Sequence, residues 1–159
     1  MPFVYHTKPP TMIGDELLPL SELADVDPAV HDAAIAKYDG SADRRTLPDR
    51  RIPVLDCRWQ DVVFLAPVHP QLIWRAWAER GVRLPQRTFY AIPLAAIESH
   101  AAVLYRQRLT QPGEDIAAAD VTPFHADRYA ELTALSPRTL TWYETLIAAG
   151  RQGGEFHTV

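Results

Sequence analysis

The chain has 159 residues, of which 47% are hydrophobic and 23% are charged. This length suits one domain, and this balance excludes an intrinsically disordered chain, which has too few apolar residues to form a core. The formal net charge of −4 argues against a protein coated in positive charge for nucleic acid or anionic membrane, although nucleic acid is left open as a partner. Cys57 is the single cysteine, which excludes an intrachain disulfide.

The sequence carries no pattern typical of a targeting, membrane-spanning or metal-binding segment. Its N-terminus lacks the basic start and apolar core of a signal peptide, and no apolar run reaches the ~18 residues needed to span a bilayer. No two of the six histidines stand four residues apart, the step that places two metal ligands on one helical face. We therefore expect a cytoplasmic protein with no metal site and no membrane partner, and secretion by a route that needs no signal peptide is left open.

The first part of the chain predicts a strand, a helix and a long loop. Residues 3–7 (FVYHT) are aromatic or β-branched residues of strand type. Asp27 followed by Pro28 is typical of a helix N-cap and first helical position, and predicts a helix that ends near Gly40. The segment 41–59 carries charges of both signs and two prolines, and predicts a long loop in which residues 52–57 (IPVLDC) are the candidate for local order.

The middle of the chain predicts two strands on either side of a helix. Residues 61–66 (DVVFLA) form a largely apolar run of strand length. Pro70 then opens a segment with helical apolar spacing, and Gly81 is its expected end. Residues 88–92 (TFYAI) again predict a strand.

The last third predicts one more strand and two helices. Residues 101–106 (AAVLYR) favour a strand, although the longer stretch LAAIESHAAVLY also fits a helix. Thr122-Pro123 and Ser136-Pro137 both repeat the N-cap and proline signature, and each predicts the start of a helix. Glycines from Gly150 onward predict a tail.

Together these elements predict an α+β fold in a single domain over residues 1–159. The sheets are expected to be small and mixed or antiparallel, and two helices follow them. Residues 1–109 would form an α/β core, residues 110–150 a helical pair, and residues 151–159 a tail.

Four arginines stand close together in DRRTLPDRR with two aspartates between and beside them. The guanidinium fork suits phosphate groups, so this cluster is a candidate phosphate site. The more ordinary interpretation is a solvated loop with surface ion pairs, each worth roughly 0 to 1 kcal/mol. The members of the cluster are Arg44, Arg45, Arg50 and Arg51.

Polar groups also follow the predicted strands, which is where pockets tend to form. His6 lies near the end of the first strand and Glu98 follows the strand at 88–92, while Phe64 supplies an aromatic ring. Taken singly, each has a structural explanation: an edge histidine, a solvated carboxylate and a core ring.

Taken together, three blocks resemble the ADP-ribosyltransferase fold, and within it the small rifampin ADP-ribosyltransferases of bacteria. In DVVFLAPVHPQLIWRAW, Phe64 stands at the family's aromatic position and Trp74 follows ten residues later, as the family's tryptophan does. RTFYAIPLAAIE is similar to the family's next strand and places Glu98 near its acidic residue. The first block, VYHTKPPTMIGDELLP, shows in similar order His6, Lys8, Gly14, Asp15, Leu18 and Pro19.

The resemblance covers residues 3 to 98 and implies an ADP-ribosyltransferase-like fold with NAD as cofactor. It implies that His6 and Thr7 bind NAD and that Phe64 stacks on nicotinamide. Glu98 would stabilise the positive charge that develops as the nicotinamide–ribose bond breaks, or orient the acceptor. Arg44 and Arg51, or their neighbours in the arginine cluster, would hold the pyrophosphate, an interpretation without a family motif behind it.

The sequence departs from the family in two respects, and other functions stay open. Phe64 replaces a tyrosine, so a hydroxyl is lost, and no glycine follows His6. The family's later Asn-Pro-Thr and Ser-Tyr-Arg segments are absent, so rifampin is not expected as the acceptor. The alternatives are a catalytically inactive binding or immunity module of the same fold, and an RNA 2′-phosphotransferase-like enzyme. The acceptor and the oligomeric state are left open.

Overall fold

The computed structural model describes residues 1–10, 12, 14, 16–106 and 114–150. The contacts between Cα atoms divide these residues into two compact units. The first unit comprises Met1–Lys8, Leu65–His100 and the described residues from His125 onward. The second unit comprises the described residues of Pro9–Phe64 and of Ala101–Phe124. The expectation of a single domain stays a prediction, and the predicted tail at 151–159 lies outside the described residues.

The described residues form an α+β protein with three short antiparallel sheets and five α-helices, which confirms the predicted class. The helices are α1 (Leu20–Val26), α2 (Pro28–Ile35), α3 (Ala42–Thr46), α4 (Pro70–Glu79) and α5 (Pro137–Ala148). The strands are β1 (Phe3–Thr7), β2 (Arg51–Ile52), β3 (Cys57–Arg58), β4 (Phe89–Pro93), β5 (Val103–Tyr105) and β6 (Val121–Pro123). No helix among them is long and apolar enough to cross a membrane.

The sheet of the first unit is the antiparallel pair β1–β4. Both predicted strands are confirmed, since the observed bounds of β1 and β4 lie within one residue of the predicted ones. The predicted strand at 61–66 is wrong, because only Ala66 pairs, through two backbone hydrogen bonds of 2.9 and 2.8 Å with Tyr5. Upstream of Ala66, residues Trp59–Asp61 form a 3-10 helix, and the Asp61 carboxylate caps it by accepting the Arg58 N–H at 2.9 Å.

The core of the first unit lies between α4 and α5. Ile73, Trp77 and Tyr143 are almost completely buried in it, and the rings of Trp77 and Tyr143 lie 4.8 Å apart. Both helices confirm their predicted starts. Ser136 Oγ accepts the Thr139 N–H at 3.0 Å at the start of α5, and proline occupies the first position of each helix.

Gly81 fulfils the predicted role at the end of α4. Its φ is +78°, in the left-handed region that favours glycine, and its N–H donates to the Ala78 carbonyl at 3.0 Å.

The second unit contains α1, α2 and α3, the hairpin β2–β3 and the pair β5–β6. Its small core is built on Ile52, Ile116 and Val121. The predicted helix after Asp27 is confirmed, whereas α1 was not predicted. The predicted loop 41–59 is wrong where α3 forms, and the hairpin β2–β3 forms around the stretch 52–57 that was the candidate for local order.

The predicted helix that starts at Thr122-Pro123 is also wrong. Thr122 pairs with Leu104 of β5, so cross-strand pairing overrides the local helix signal. The described part of residues 110–150 therefore holds one α-helix, α5, and not a helical pair.

Candidate functional site

His6 lies on β1 directly opposite Tyr90 of β4, and both side chains are half-buried. The Lys8 ammonium lies 5.6 Å from the centroid of the Tyr90 ring, within the range of a cation–π interaction. We call this group, formed by His6, Lys8 and Tyr90, the His6 face. It combines a histidine, a cation and an aromatic ring at one end of the strand pair.

Thr7, the other predicted cofactor residue of β1, is half-buried and lies opposite Phe89. Successive strand residues point to opposite faces, so the Thr7 side chain lies on the face that also carries Tyr5. The structure therefore brings His6 and Thr7 together along the backbone but separates their side chains.

A carboxylate missed in the sequence, Glu131, anchors β1. One oxygen of Glu131 accepts the Tyr5 hydroxyl at 2.5 Å, and the other accepts the Phe3 N–H at 3.3 Å. Burial, with the Glu131 hydrogen bond as the second cause, raises the pKa of Tyr5 to about 12. The Tyr129 hydroxyl also donates to the Phe3 carbonyl at 3.0 Å. Nothing in the sequence signalled the pairing of Tyr5 with Glu131, because it joins residues 126 positions apart.

Glu98 belongs to the first unit and is exposed. It lies in the turn that follows β4 and a 3-10 turn at Leu94–Ala96. The predicted catalytic carboxylate is thus carried by a surface turn at the end of a strand.

Phe64 belongs to the second unit, where its ring packs on Trp59. The ring centroids lie 4.2 Å apart with an interplanar angle of 36°, and 38% of Phe64 is exposed. Trp59 is fixed in turn by a hydrogen bond of 3.0 Å from its indole N–H to the Tyr38 hydroxyl, and it meets Tyr105 edge-on. Phe64 is therefore a surface ring with a rigid support behind it.

The predicted pyrophosphate residues also belong to the second unit. Arg44 lies on α3, where its N–H donates to the Ser41 hydroxyl that caps the helix. The Arg51 guanidinium contacts the Asp56 carboxylate at 2.6 Å and the Asp56 carbonyl at 3.1 Å. Arg50 donates to the carbonyl of Glu114. Of this cluster, Arg51 thus has its charge compensated by a neighbouring aspartate.

Arg50 and Arg51 line a cleft of about 490 Å³ in the second unit. Three carboxylates share its wall, those of Asp49, Asp56 and Asp115. Because the negative charges at least match the positive ones, this cleft does not by itself favour an anion.

The six predicted site residues divide between the two units. His6, Thr7 and Glu98 lie in the first unit, whereas Phe64, Arg44 and Arg51 lie in the second. Their assigned roles stay predictions. Within the described ranges, no group of three or more His, Cys, Asp or Glu side chains is placed to hold a metal ion.

Comparisons of the chain with family models, with curated proteins and with solved structures find no match.

Proposed function

We propose that this protein is an NAD-dependent ADP-ribosyltransferase-like enzyme that transfers ADP-ribose to an acceptor still to be identified. The observation that carries the proposal is the His6 face: β1–β4 pairing sets His6 opposite Tyr90, and the Lys8 ammonium lies beside that ring. This is the strand whose sequence resembles the NAD-binding strand of the family.

The side chains of the His6 face suit parts of a dinucleotide. An imidazole donates to or accepts from ribose hydroxyls, an aromatic ring offers a stacking surface, and an ammonium group attracts pyrophosphate. In the second unit, Phe64 keeps part of its ring exposed on the support of Trp59, as a ring that stacks on nicotinamide requires. The pyrophosphate role is harder to meet for Arg51, because a ligand must displace its contact with Asp56.

The proposed reaction breaks the bond between the nicotinamide nitrogen and C1′ of the ribose, and nicotinamide leaves as a neutral molecule. A nucleophile of the acceptor forms the new bond to C1′ and releases its proton to solvent. The ribose carries positive charge in the transition state, and a carboxylate beside it lowers the barrier. Glu98 is the residue we assign to this role.

Release of nicotinamide from NAD tests the assignment. Removing a carboxylate that acts only on the transition state costs on the order of 10² to 10³ in rate, by analogy with the loss of one electrostatic donor. Glu98→Gln is therefore expected to keep NAD affinity and to lose turnover to that extent. Glu79→Gln, at another exposed position of the first unit, is the matched control and should turn over as the wild type does. Equal turnover in the Glu98 variant and the wild type would remove Glu98 from the reaction.

The exposure of Glu98 favours a second function, a binding module of the same fold that does not react with NAD. Catalytic carboxylates usually lie within clefts, whereas Glu98 lies in an exposed turn. The absence at Phe64 of the hydroxyl that the family's tyrosine carries also favours a binding module. Under this alternative the wild type binds NAD and releases no nicotinamide with any acceptor supplied.

A further inference from the structure

In the second unit, β5 has an outer edge whose backbone groups carry no hydrogen bonds. The Arg106 N–H, just past the end of β5, donates to the Asp120 carbonyl at 2.8 Å. Hydrogen bonds in an antiparallel pair involve every second residue, so Leu104 also bonds towards β6, whereas Val103 and Tyr105 direct their N–H and C=O groups away from it. Among the described residues, no hydrogen bond reaches these outward groups. Because buried backbone groups are nearly always paired, this edge faces solvent.

The outer edges of β1, β4 and β6 are each blocked against a further strand. At the edge of β1, Tyr5 pairs with Ala66 through two backbone hydrogen bonds. β4 and β6 carry Pro93 and Pro123 at outward positions, where proline removes a backbone donor. Covered edges, prolines and charged side chains are the usual means by which a protein prevents its strands from pairing with another chain. The three residues of β5, Val103–Tyr105, include neither a proline nor a charge.

β5 also exposes an apolar side chain at the middle of this edge. Leu104 is 48% exposed, and Thr122, which lies opposite it on β6, is exposed as well. The side chains of Val103 and Tyr105 point to the other face, where they pack on the small core of the second unit. The strand thus combines open backbone groups at its edge with a leucine on its outer face, and a further strand would cover both.

We propose that β5 pairs with β5 of a second copy of this chain, antiparallel and about a two-fold axis at Leu104. Val103 of each copy then exchanges both backbone hydrogen bonds with Tyr105 of the other, because both residues face outward. The two Leu104 residues form a non-hydrogen-bonded pair, in which Cα atoms lie about 4.5 Å apart and the side chains are in contact on one face. The result is one continuous antiparallel sheet across the two copies.

The charges along this edge permit the pairing, and its symmetry favours a second copy as the partner. Arg106 is the one charged side chain in residues 101–106, and the axis at Leu104 sets it opposite Ala102 of the second copy. No like charges therefore meet directly across the pair. A two-fold contact requires a self-complementary surface, and this edge supplies its own donors, acceptors and leucine. The inference does not rest on the proposed use of NAD.

The test is analytical ultracentrifugation of the full chain between about 10 μM and about 1 mM. A pairing of short strands buries less area than a standard interface of about 1,600 Å², so we expect a weak dimer with a dissociation constant on the order of 100 μM. Leu104→Lys places like charges directly opposite each other and should weaken association at least about tenfold. Leu132→Lys, at a leucine of the first unit that is 47% exposed, is the matched control and should associate as the wild type does.

Amide hydrogen exchange of the wild type locates the contact and does not depend on how a variant folds. The amide protons of Val103 and Tyr105 should exchange more slowly as the protein concentration rises across the same range. A wild type that stays monomeric, or equal association of the wild type and Leu104→Lys, would overturn the proposal. So would a dimer that leaves these two exchange rates unchanged, because the copies then meet elsewhere. Protection that is independent of concentration would mean that another part of the same chain covers the edge, and it would overturn the proposal as well.

Discussion

Replacing Tyr5 by phenylalanine removes the hydroxyl that ties β1 to Glu131. The hydroxyl donates to a carboxylate oxygen at 2.5 Å, and Tyr5 is only 6% exposed. The other Glu131 oxygen still holds the Phe3 N–H, and the phenyl ring of the Tyr5→Phe variant would still fill the buried space. The substitution therefore isolates one hydrogen bond to a charged acceptor.

The expected cost is about 1 to 2 kcal/mol. Hydrogen bonds to charged groups are worth about 1.5 to 3 kcal/mol, and the value here falls to the lower end because Glu131 is half-buried and water can replace part of the lost bond. For a chain of this size the melting temperature should fall by about 2 to 8 °C. Because the pKa of Tyr5 is raised to about 12 in the folded protein, its contribution is present below pH 10 and lost as the pH rises towards 12.

Chemical denaturation at neutral pH measures this cost. The coupling energy is the effect of the double variant Tyr5→Phe/Glu131→Gln minus the summed effects of the two single variants, and its size is expected to be about 1 kcal/mol. Tyr105→Phe is the control, since no hydrogen bond of its hydroxyl is found among the described residues. If the unfolding free energy of Tyr5→Phe lies within about 0.3 kcal/mol of the wild-type value, the hydrogen bond to Glu131 does not anchor β1 and the reasoning is refuted.

Three further predictions concern the remaining structure. Ile73→Ala, at a position 2% exposed in the core of the first unit, should cost about 2 to 5 kcal/mol in unfolding free energy through the cavity it leaves. Ser136→Ala should cost about 1 kcal/mol, because it removes the cap of α5. Hydrogen bonds from the side chain and then the backbone of Arg58 lower the pKa of Asp61 to about 2, so acid titration should show stability that is present above about pH 4 and lost as the pH falls towards 2. Asp61→Asn should remove that part of the acid dependence.

The Ile73→Ala prediction has a control variant, and each of the three predictions has an outcome that contradicts it. Leu132→Ala, at a residue 47% exposed, should change stability by about 0.5 kcal/mol or less, and a cost equal to that of Ile73→Ala would mean that burial does not set the difference. If α5 stays fully helical in Ser136→Ala and the melting temperature is unchanged, the Ser136 cap does not stabilise α5. An acid profile identical in the wild type and Asp61→Asn would show that the Arg58 contact does not shift Asp61.

Local signals in the sequence were sufficient to predict a helix where the capping residue and its hydrogen-bond partner lie within a few residues of each other. Asp27 and Ser136 accept hydrogen bonds from residues three positions on, and each is followed by proline, so α2 and α5 could be predicted from their starts. α4 could also be predicted from local signals, because proline occupies its first position and Gly81, with its positive φ, follows its end. Helix caps of this kind are encoded within four residues.

Local signals failed where distant residues decide the structure. Thr122-Pro123 has the same cap signature as Ser136-Pro137, yet β6 forms there because it pairs with β5. The apolar run at 61–66 has strand composition, but Asp61 is held in a 3-10 turn by Arg58 and only Ala66 finds a pairing partner.

The candidate site was predictable in part for the same reason. The position of His6 on β1 followed from local strand propensity, but its partner Tyr90 depends on the register between two distant strands. The contact between Tyr5 and Glu131 arises from tertiary packing alone, so no local pattern in the sequence predicts it. Likewise, the contact between Arg51 and Asp56 forms within the hairpin β2–β3, whose pairing the sequence did not specify.

The central claim, that NAD binds at the His6 face, is tested most directly by thermal unfolding of the wild type, His6→Ala and His100→Ala with and without NAD. At 100 times its dissociation constant, NAD should stabilise the wild type by about 2.7 kcal/mol, a rise of about 5 to 11 °C. The account predicts this rise in the wild type and in the His100 control, an exposed histidine of the same unit, and its loss in a folded His6→Ala. No rise in the wild type, or an equal rise in all three proteins, would contradict it.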